Sequence, residues 1–104
     1  MIDIHDNAAE ERYELVDDGL LAAIAEYRRN EQLIAFTHTE TRAGHEGKGV
    51  ARKLVEYALA EARAQGLGVL PYCPYVRKLI AENPSEYLDL VPADQRATFE
   101  LPQY

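Results

Sequence analysis

One helix restricts this chain more than any other feature. Over Lys48 to Gln65, Val50, Leu54, Ala58 and Ala62 recur four residues apart, and Ala51, Val55 and Leu59 widen the stripe. Lys53, Glu56, Glu61 and Arg63 fall mostly on the other side, and Gly66 stands where a helix stops. Such a helix needs a sheet or another helix to bury its stripe. Directly before it runs His45-Glu46-Gly47-Lys48-Gly49-Val50-Ala51, preceded by a stretch that reads as strand. A strand that turns through Gly-x-Gly into a helix makes a phosphate site. The glycines let the backbone approach a ligand closely, and the first helical N–H groups are unpaired and point at it. The expected occupant is the pyrophosphate of a cofactor. His45 lies in the same loop, where a phosphate contact or plain solvation is open to it.

The remaining segments predict the partner for that stripe. Residues 1–11 are polar and expected to be frayed. Arg12 to Val16 alternates as a short strand, and Asp17-Asp18-Gly19 is a turn signal. The alanines of Leu20 to Arg28 also suit a helix, but with Leu33 to Thr39 following directly the two read as a hairpin closed by Asn30-Glu31. After the helix, Gly68 to Cys73 reads as a strand that Pro71 confines to an edge or a splay. Pro74 opens a short helix, Tyr75 to Asn83, with Val76, Leu79 and Ile80 on one side. Pro84 to Tyr87 adds a turn, Leu88 to Val91 is a small strand or a buried tail, and residues 92–104 carry no strong signal. The order β-β-β-α-β-α predicts an α+β fold, one long helix on a mostly antiparallel sheet.

At 104 residues the chain suits one domain, with a core over about 12–91. It has no apolar run of membrane-spanning length and no signal-peptide pattern at Met1 to Asp6. Its single cysteine excludes an intrachain disulfide. The expected location is the cytoplasm.

A net charge of −7 argues against nucleic acid and anionic membranes as partners. The charge is unevenly spread. Residues 1–18 carry a net −6, whereas residues 42–78 carry a net +4 from Arg42, Lys48, Arg52, Lys53, Arg63, Arg77 and Lys78 against three glutamates. A basic island around the glycine turn fits a small polyanion, although two solvated helix faces would give the same count. Cys73 follows a strand and precedes a helix start, a setting that favours a reactive thiolate, but a lone cysteine is most often a small buried hydrophobe. Three histidines and one cysteine at scattered spacings form no metal pattern.

Glu46-Gly47-Lys48-Gly49-Val50-Ala51 followed by Leu54-Val55 resembles motif A of the GNAT acetyltransferase superfamily, Arg/Gln-x-x-Gly-x-Gly/Ala, with Glu46 in the Arg/Gln place. A longer set resembles one subgroup: His38-Thr39-Glu40, the glycine turn, Gly66-Leu67, Pro71-Tyr72-Cys73-Pro74-Tyr75, Pro84 and Tyr87. These are very small GNAT-like proteins, typified by YidJ-like or YjdJ-like proteins and N-acetyltransferase domain-containing protein 1, and they carry Glu at that place.

The resemblance implies acetyl-CoA as cofactor and an amine as acceptor. It implies pyrophosphate binding by Glu46, Gly47, Lys48, Gly49, Val50, Ala51 and Arg52. The pantetheine arm would lie along the strand through Thr39, with Pro74 and Lys78 contributing from the second helix. Cys73, His38 and Tyr75 are the implied catalytic residues. Cys73 either accepts the acetyl group or packs beside the cofactor sulfur. His38 would act as base on the acceptor amine or activate Cys73, and Tyr75 would protonate the departing thiolate. The other tyrosines, Tyr13, Tyr27, Tyr57, Tyr72, Tyr87 and Tyr104, read as core or rim aromatics.

A full GNAT domain has two helices between its first strands, and the connection at Asp17-Asp18-Gly19 is too short for them. The implied acceptor side is open, suited to a protein lysine or another bulky amine, in a monomer or weak homo-oligomer. The alternative is a non-catalytic module that binds or senses CoA.

Overall fold

The computed structural model describes residues 1–102. Its strands are β1 (Ile2–Asn7), β2 (Arg12–Asp17), β3 (Leu20–Arg29), β4 (Leu33–Thr41) and β5 (Gly68–Pro71). Its α-helices are α1 (Val50–Ala64), α2 (Pro74–Glu82) and α3 (Pro84–Tyr87). The strands form one sheet in the order β1-β2-β3-β4-β5. β1 to β4 pair antiparallel, and β5 joins β4 in parallel after the crossover through α1. This is a mixed-sheet α+β fold with no α-helix between its first strands.

α1 buries Val50, Leu54, Val55, Ala58, Leu59 and Ala62, the predicted stripe. They meet Tyr13, Leu15, Ala23, Ala25, Tyr27, Ile34 and Phe36 from the strands in one core. Each fully buried aliphatic side chain there contributes about 1.5–3 kcal/mol. α2 adds Val76, Leu79 and Ile80. The opposite face of the first strands carries His5, Arg12, Glu14, Glu26, His38 and Glu40, which follows from the pairings His5↔Glu14, Arg12↔Glu26, Glu26↔His38 and Ile24↔Glu40.

Several boundaries differ from the sequence reading, each for a physical reason. Ile2–Asn7 is a strand and not a frayed end. It pairs residue by residue with β2, Ile4 packs on the core, and Asp6 accepts a 2.6 Å bond from the Tyr27 hydroxyl. An edge strand with one core-facing aliphatic leaves little hydrophobic signal. α1 starts at Val50 and not Lys48, because Gly49 stands at φ 72°, outside the right-handed helical region. β5 ends at Pro71 and not Cys73, since Cys73 N–H turns to donate to the Phe36 carbonyl at 2.8 Å.

Leu88–Leu90 is a 3₁₀ turn, so of the two readings the buried tail holds. The last stretch, which had no signal, buries Phe99 and Leu101, with Phe99 edge-on to Tyr72 at 5.1 Å between ring centres. Tyr104 lies outside the described residues. Among the described residues, no helix is long and apolar enough to cross a membrane.

Candidate functional site

The site is built where β4 runs beyond its parallel partner. Pairing with β5 extends from Leu33↔Gly68 to Phe36↔Pro71, and the Cys73 amide on the Phe36 carbonyl is its last rung. Beyond that point Thr37 to Thr41 pair with β3 alone. One edge of β4 is therefore open between Cys73 and the N-terminus of α1. An open edge offers backbone groups to an extended ligand.

A bulge in β4 sets which side chains face this opening. Phe36 lies opposite Tyr27 and His38 opposite Glu26, so Thr37 is the extra residue. The bulge returns Thr39 and Thr41 to the α1 side of the sheet, opposite Ala25 and Ala23. Thr39 Oγ1 lies 3.3 Å from Cys73 Sγ. His38 falls on the other face, its side chain 54% exposed and its Nε2 3.7 Å from a Glu40 carboxylate oxygen. The fold thus brings Thr39 and Cys73 together and sets His38 across the sheet from them. Strand alternation alone cannot give this parity, because it depends on the bulge.

At the far end of the opening, Thr41, His45, Gly47, Gly49, Val50, Ala51, Arg52 and Tyr75 line a pocket of about 190 Å³. Gly47 and Gly49 have φ of 81° and 72°, a region costly for other residues, and a Cβ at either would point into open space. Gly49 caps α1 without a side-chain acceptor, and no acidic residue stands in the first turn. Among the described residues, the amides of Gly49, Val50, Ala51 and Arg52 have no protein acceptor. These donors, with the helix dipole behind them, form an anion site. The Glu46 carboxylate turns away and accepts from the Gly44 amide at 3.0 and 3.2 Å, which braces the loop and keeps a negative charge off the helix end.

The basic residues divide into paired and unpaired. Arg52 lines the pocket and is bonded to Glu56 at 3.2 Å. Arg42 pairs with Glu40 at 2.9 Å, and Arg63 with Asp89 at 2.7 Å. Lys48, Lys53 and Lys78 are exposed, and neither they nor Arg77 makes an ion pair among the described residues. Lys48 stands in the loop, close enough to the β2–β3 turn for its charge to be felt at Asp18. Lys78 lies on α2 outside the pocket lining, and Pro74 is exposed at the start of α2. Tyr75 contributes its 40% exposed ring to the pocket wall. Cys73, only 4% exposed, is the cap residue of α2.

Two pocket residues have no assigned role in the sequence reading. Thr41 reaches the pocket because of the bulge. His45 had only an open reading, and its geometry bears on the inference below.

A family model for the GCN5-related N-acetyl-transferase matches residues 12–90. A solution structure of a GCN5-like candidate N-acetyltransferase from Staphylococcus aureus superposes with a TM-score of 0.63 at 24% identity, covering 86% of this chain and 87% of the other. No curated protein matches the chain. The match over residues 12–90 takes in the glycine turn, the splayed strands and Cys73, and it makes this chain a member of the GCN5-related N-acetyltransferase family, an acyltransferase of the GNAT fold.

Proposed function

We propose that the chain transfers the acetyl group of acetyl-CoA to an amine. The reading is carried by one observation: the unpaired amides at the start of α1 are joined to the Thr39–Cys73 contact by the open edge of β4. Coenzyme A has the same plan, phosphates at one end and a thioester at the other, linked by an extended amide-bearing arm. The residues present fit it. Gly47 and Gly49 leave room for a close approach, and among the described residues the four amides of Gly49 to Arg52 have no protein acceptor.

When bound, acetyl-CoA supplies the activated acyl group. The amides of Gly49 to Arg52 hold the pyrophosphate, with Arg52 and Lys48 beside it. β4 aligns the arm, and Thr39 and Cys73 fix the sulfur end. Cys73 acts here as a packing contact and not as an acetyl carrier, because a nucleophilic thiol needs a base in contact and, among the described residues, its polar side-chain partner is Thr39. The amine nitrogen bonds to the acetyl carbon and loses a proton as the carbon–sulfur bond breaks. His38, on the face opposite α1, is the proposed base for that proton, acting on an acceptor that approaches the acetyl group from that side of the open β4 edge. Tyr75 is the proposed donor to the departing thiolate. The lack of an α-helix between the first strands favours a bulky acceptor such as a lysine on a protein.

Thiol release from acetyl-CoA tests this reading, measured with lysine-bearing peptides and with polyamines as acceptors. The expected result is acceptor-dependent release that persists in Cys73→Ser, with no acetylated form of the protein in its intact mass. Binding of acetyl-CoA without release to any acceptor would support the sensing module instead.

A further inference from the structure

The loop that caps α1 contains one feature that the amide cradle leaves unexplained. Among the described residues, His45 Nδ1 is the one side-chain nitrogen or oxygen that is buried without a hydrogen-bond partner. The backbone around it is fixed. His45 N–H donates to the Arg42 carbonyl at 3.1 Å, and the Glu46 carboxylate ties the loop back to Gly44. The imidazole is thereby held in the wall of the pocket with Gly47, Gly49, Val50, Ala51 and Arg52.

The two ring nitrogens are not equivalent. Nδ1 is sealed from solvent, whereas Nε2, which has no protein partner either, is not sealed. A neutral imidazole carries its proton on one nitrogen and a lone pair on the other. A buried N–H without an acceptor is the rarer defect in proteins, so the burial of Nδ1 places the proton on Nε2. The sealed side therefore aims a single N–H donor outward. The ring lines the same pocket as the amides of Gly49 to Arg52, where an anion would accept from it.

Resting on the acetyl-CoA reading, we infer that His45 is a side-chain ligand of the cofactor's pyrophosphate, donating from Nε2–H beside the amides of Gly49 to Arg52. It is a specificity residue for the diphosphate and takes no part in the acyl transfer. Three charged groups around the loop serve other contacts: Arg42 is bonded to Glu40, Arg52 to Glu56, and Glu46 to the Gly44 amide, which leaves Lys48 without an ion pair among the described residues. His45 thus adds a ring N–H to the pocket wall beside the hydroxyls of Thr41 and Tyr75.

Calorimetric titration of CoA and of dephospho-CoA into the wild type, His45→Phe and His45→Gln tests the inference. Phe keeps the ring volume without a donor, and Gln restores an N–H near the Nε2 position. The expected result is a loss of about ten-fold or more in affinity for both ligands in His45→Phe, since a hydrogen bond to a charged group is lost. Most of that affinity should return in His45→Gln. Equal loss for both ligands assigns the contact to the pyrophosphate, while loss for CoA alone would move it to the 3′-phosphate and overturn the assignment.

Long-range proton–nitrogen spectra of the wild type read the ring directly, whether or not a variant folds. The Nε2–H form is expected before ligand, with the Nε2 resonance moving on CoA addition. A proton on Nδ1, or a ring unmoved by bound CoA, overturns the inference. So does unchanged affinity in His45→Phe, and in these cases the acetyl-CoA reading stands. A folded wild type that binds neither ligand overturns both.

Discussion

Two polar regions of this small protein handle hydrogen bonds in opposite ways. On the outer face of the sheet, the Glu14 carboxylate is buried and saturated. It accepts from Arg12 Nε at 2.6 Å, His5 Nε2 at 2.9 Å and Asn7 Nδ2 at 3.1 Å, so that three side chains from β1 and β2 close on it. At the start of α1, by contrast, among the described residues, the amides of Gly49 to Arg52 have no protein acceptor and His45 Nδ1 is buried without a partner. Buried polar groups are normally satisfied, whereas the donors at an open helix end remain available to a ligand. The first region stabilises the fold, and the second holds the ligand. The contrast also explains a charge map that total charge obscures: the acidic N-terminal residues are spent partly on internal pairing, and the basic middle surrounds the empty donors.

The comparison breaks most sharply at two glycines with similar backbone strain. Gly49 stands at φ 72° and Gly19, in the β2–β3 turn, at φ 82°, and each has open space where a Cβ would go. Alanine at either position costs about 1–2 kcal/mol of stability for the left-handed conformation. Only at Gly49 does the new methyl stand over the anion site. Gly49→Ala is expected to weaken acetyl-CoA binding by about a hundred-fold, close to the loss of several amide contacts, whereas Gly19→Ala leaves binding unchanged. Calorimetry and thermal unfolding of the pair separate the two effects, and equal binding losses would erase the distinction.

Glu14 gives the next largest effect, on stability alone. Glu14→Ala leaves three donors unmet and is expected to cost about 2 kcal/mol, read by urea unfolding, with acetyl-CoA affinity unchanged. Its acid behaviour has a definite direction. Burial pushes the carboxyl up, but hydrogen bonds from Arg12, Asn7 and His5 outweigh burial and hold it below the ordinary 4.5. A lowered folded value means that the stabilisation is present above about pH 4.5 and is lost as pH falls through the lower folded value. In Glu14→Gln this part of the acid loss should vanish, and an unaltered acid limb would refute the role given to the carboxylate.

The smallest effects separate the charges beside the cradle. Removing Lys48 or Arg52 is expected to weaken CoA by only a few-fold each, because both side chains are exposed and screened. Arg52→Ala should cost less than its nearness to the pocket suggests, since Arg52 is shared with Glu56. A loss confined to CoA and absent for dephospho-CoA would assign that side chain to the 3′-phosphate.

These two regions were not equally legible in the sequence. The stripe from Val50 to Ala62 and the pair Gly47 and Gly49 announce a helix and its phosphate-binding start, because periodicity and glycine have direct backbone meaning. The Glu14 cluster left no such trace. Its members come from β1 and β2, and β1 shows only Ile4 to the core, so residues 1–11 read as polar and frayed. The side of the sheet on which His38 falls was equally hidden, since it depends on the bulge at Thr37 and not on alternation. Phe99 and Leu101 were silent because two isolated apolar residues after the polar stretch Ala93 to Thr98 have no period to declare.

Titration of the labelled protein with acetyl-CoA, followed by amide proton–nitrogen spectra, tests the central claim most directly. Acetyl-CoA in the cradle predicts the largest shifts at Gly47 and at Gly49 to Arg52, with further shifts along Thr39 to Thr41 and at Cys73, and none in β1 and β2. No shifts at millimolar ligand, or the largest shifts in the groove between α1 and α3 around Arg63 and Tyr87, would contradict it.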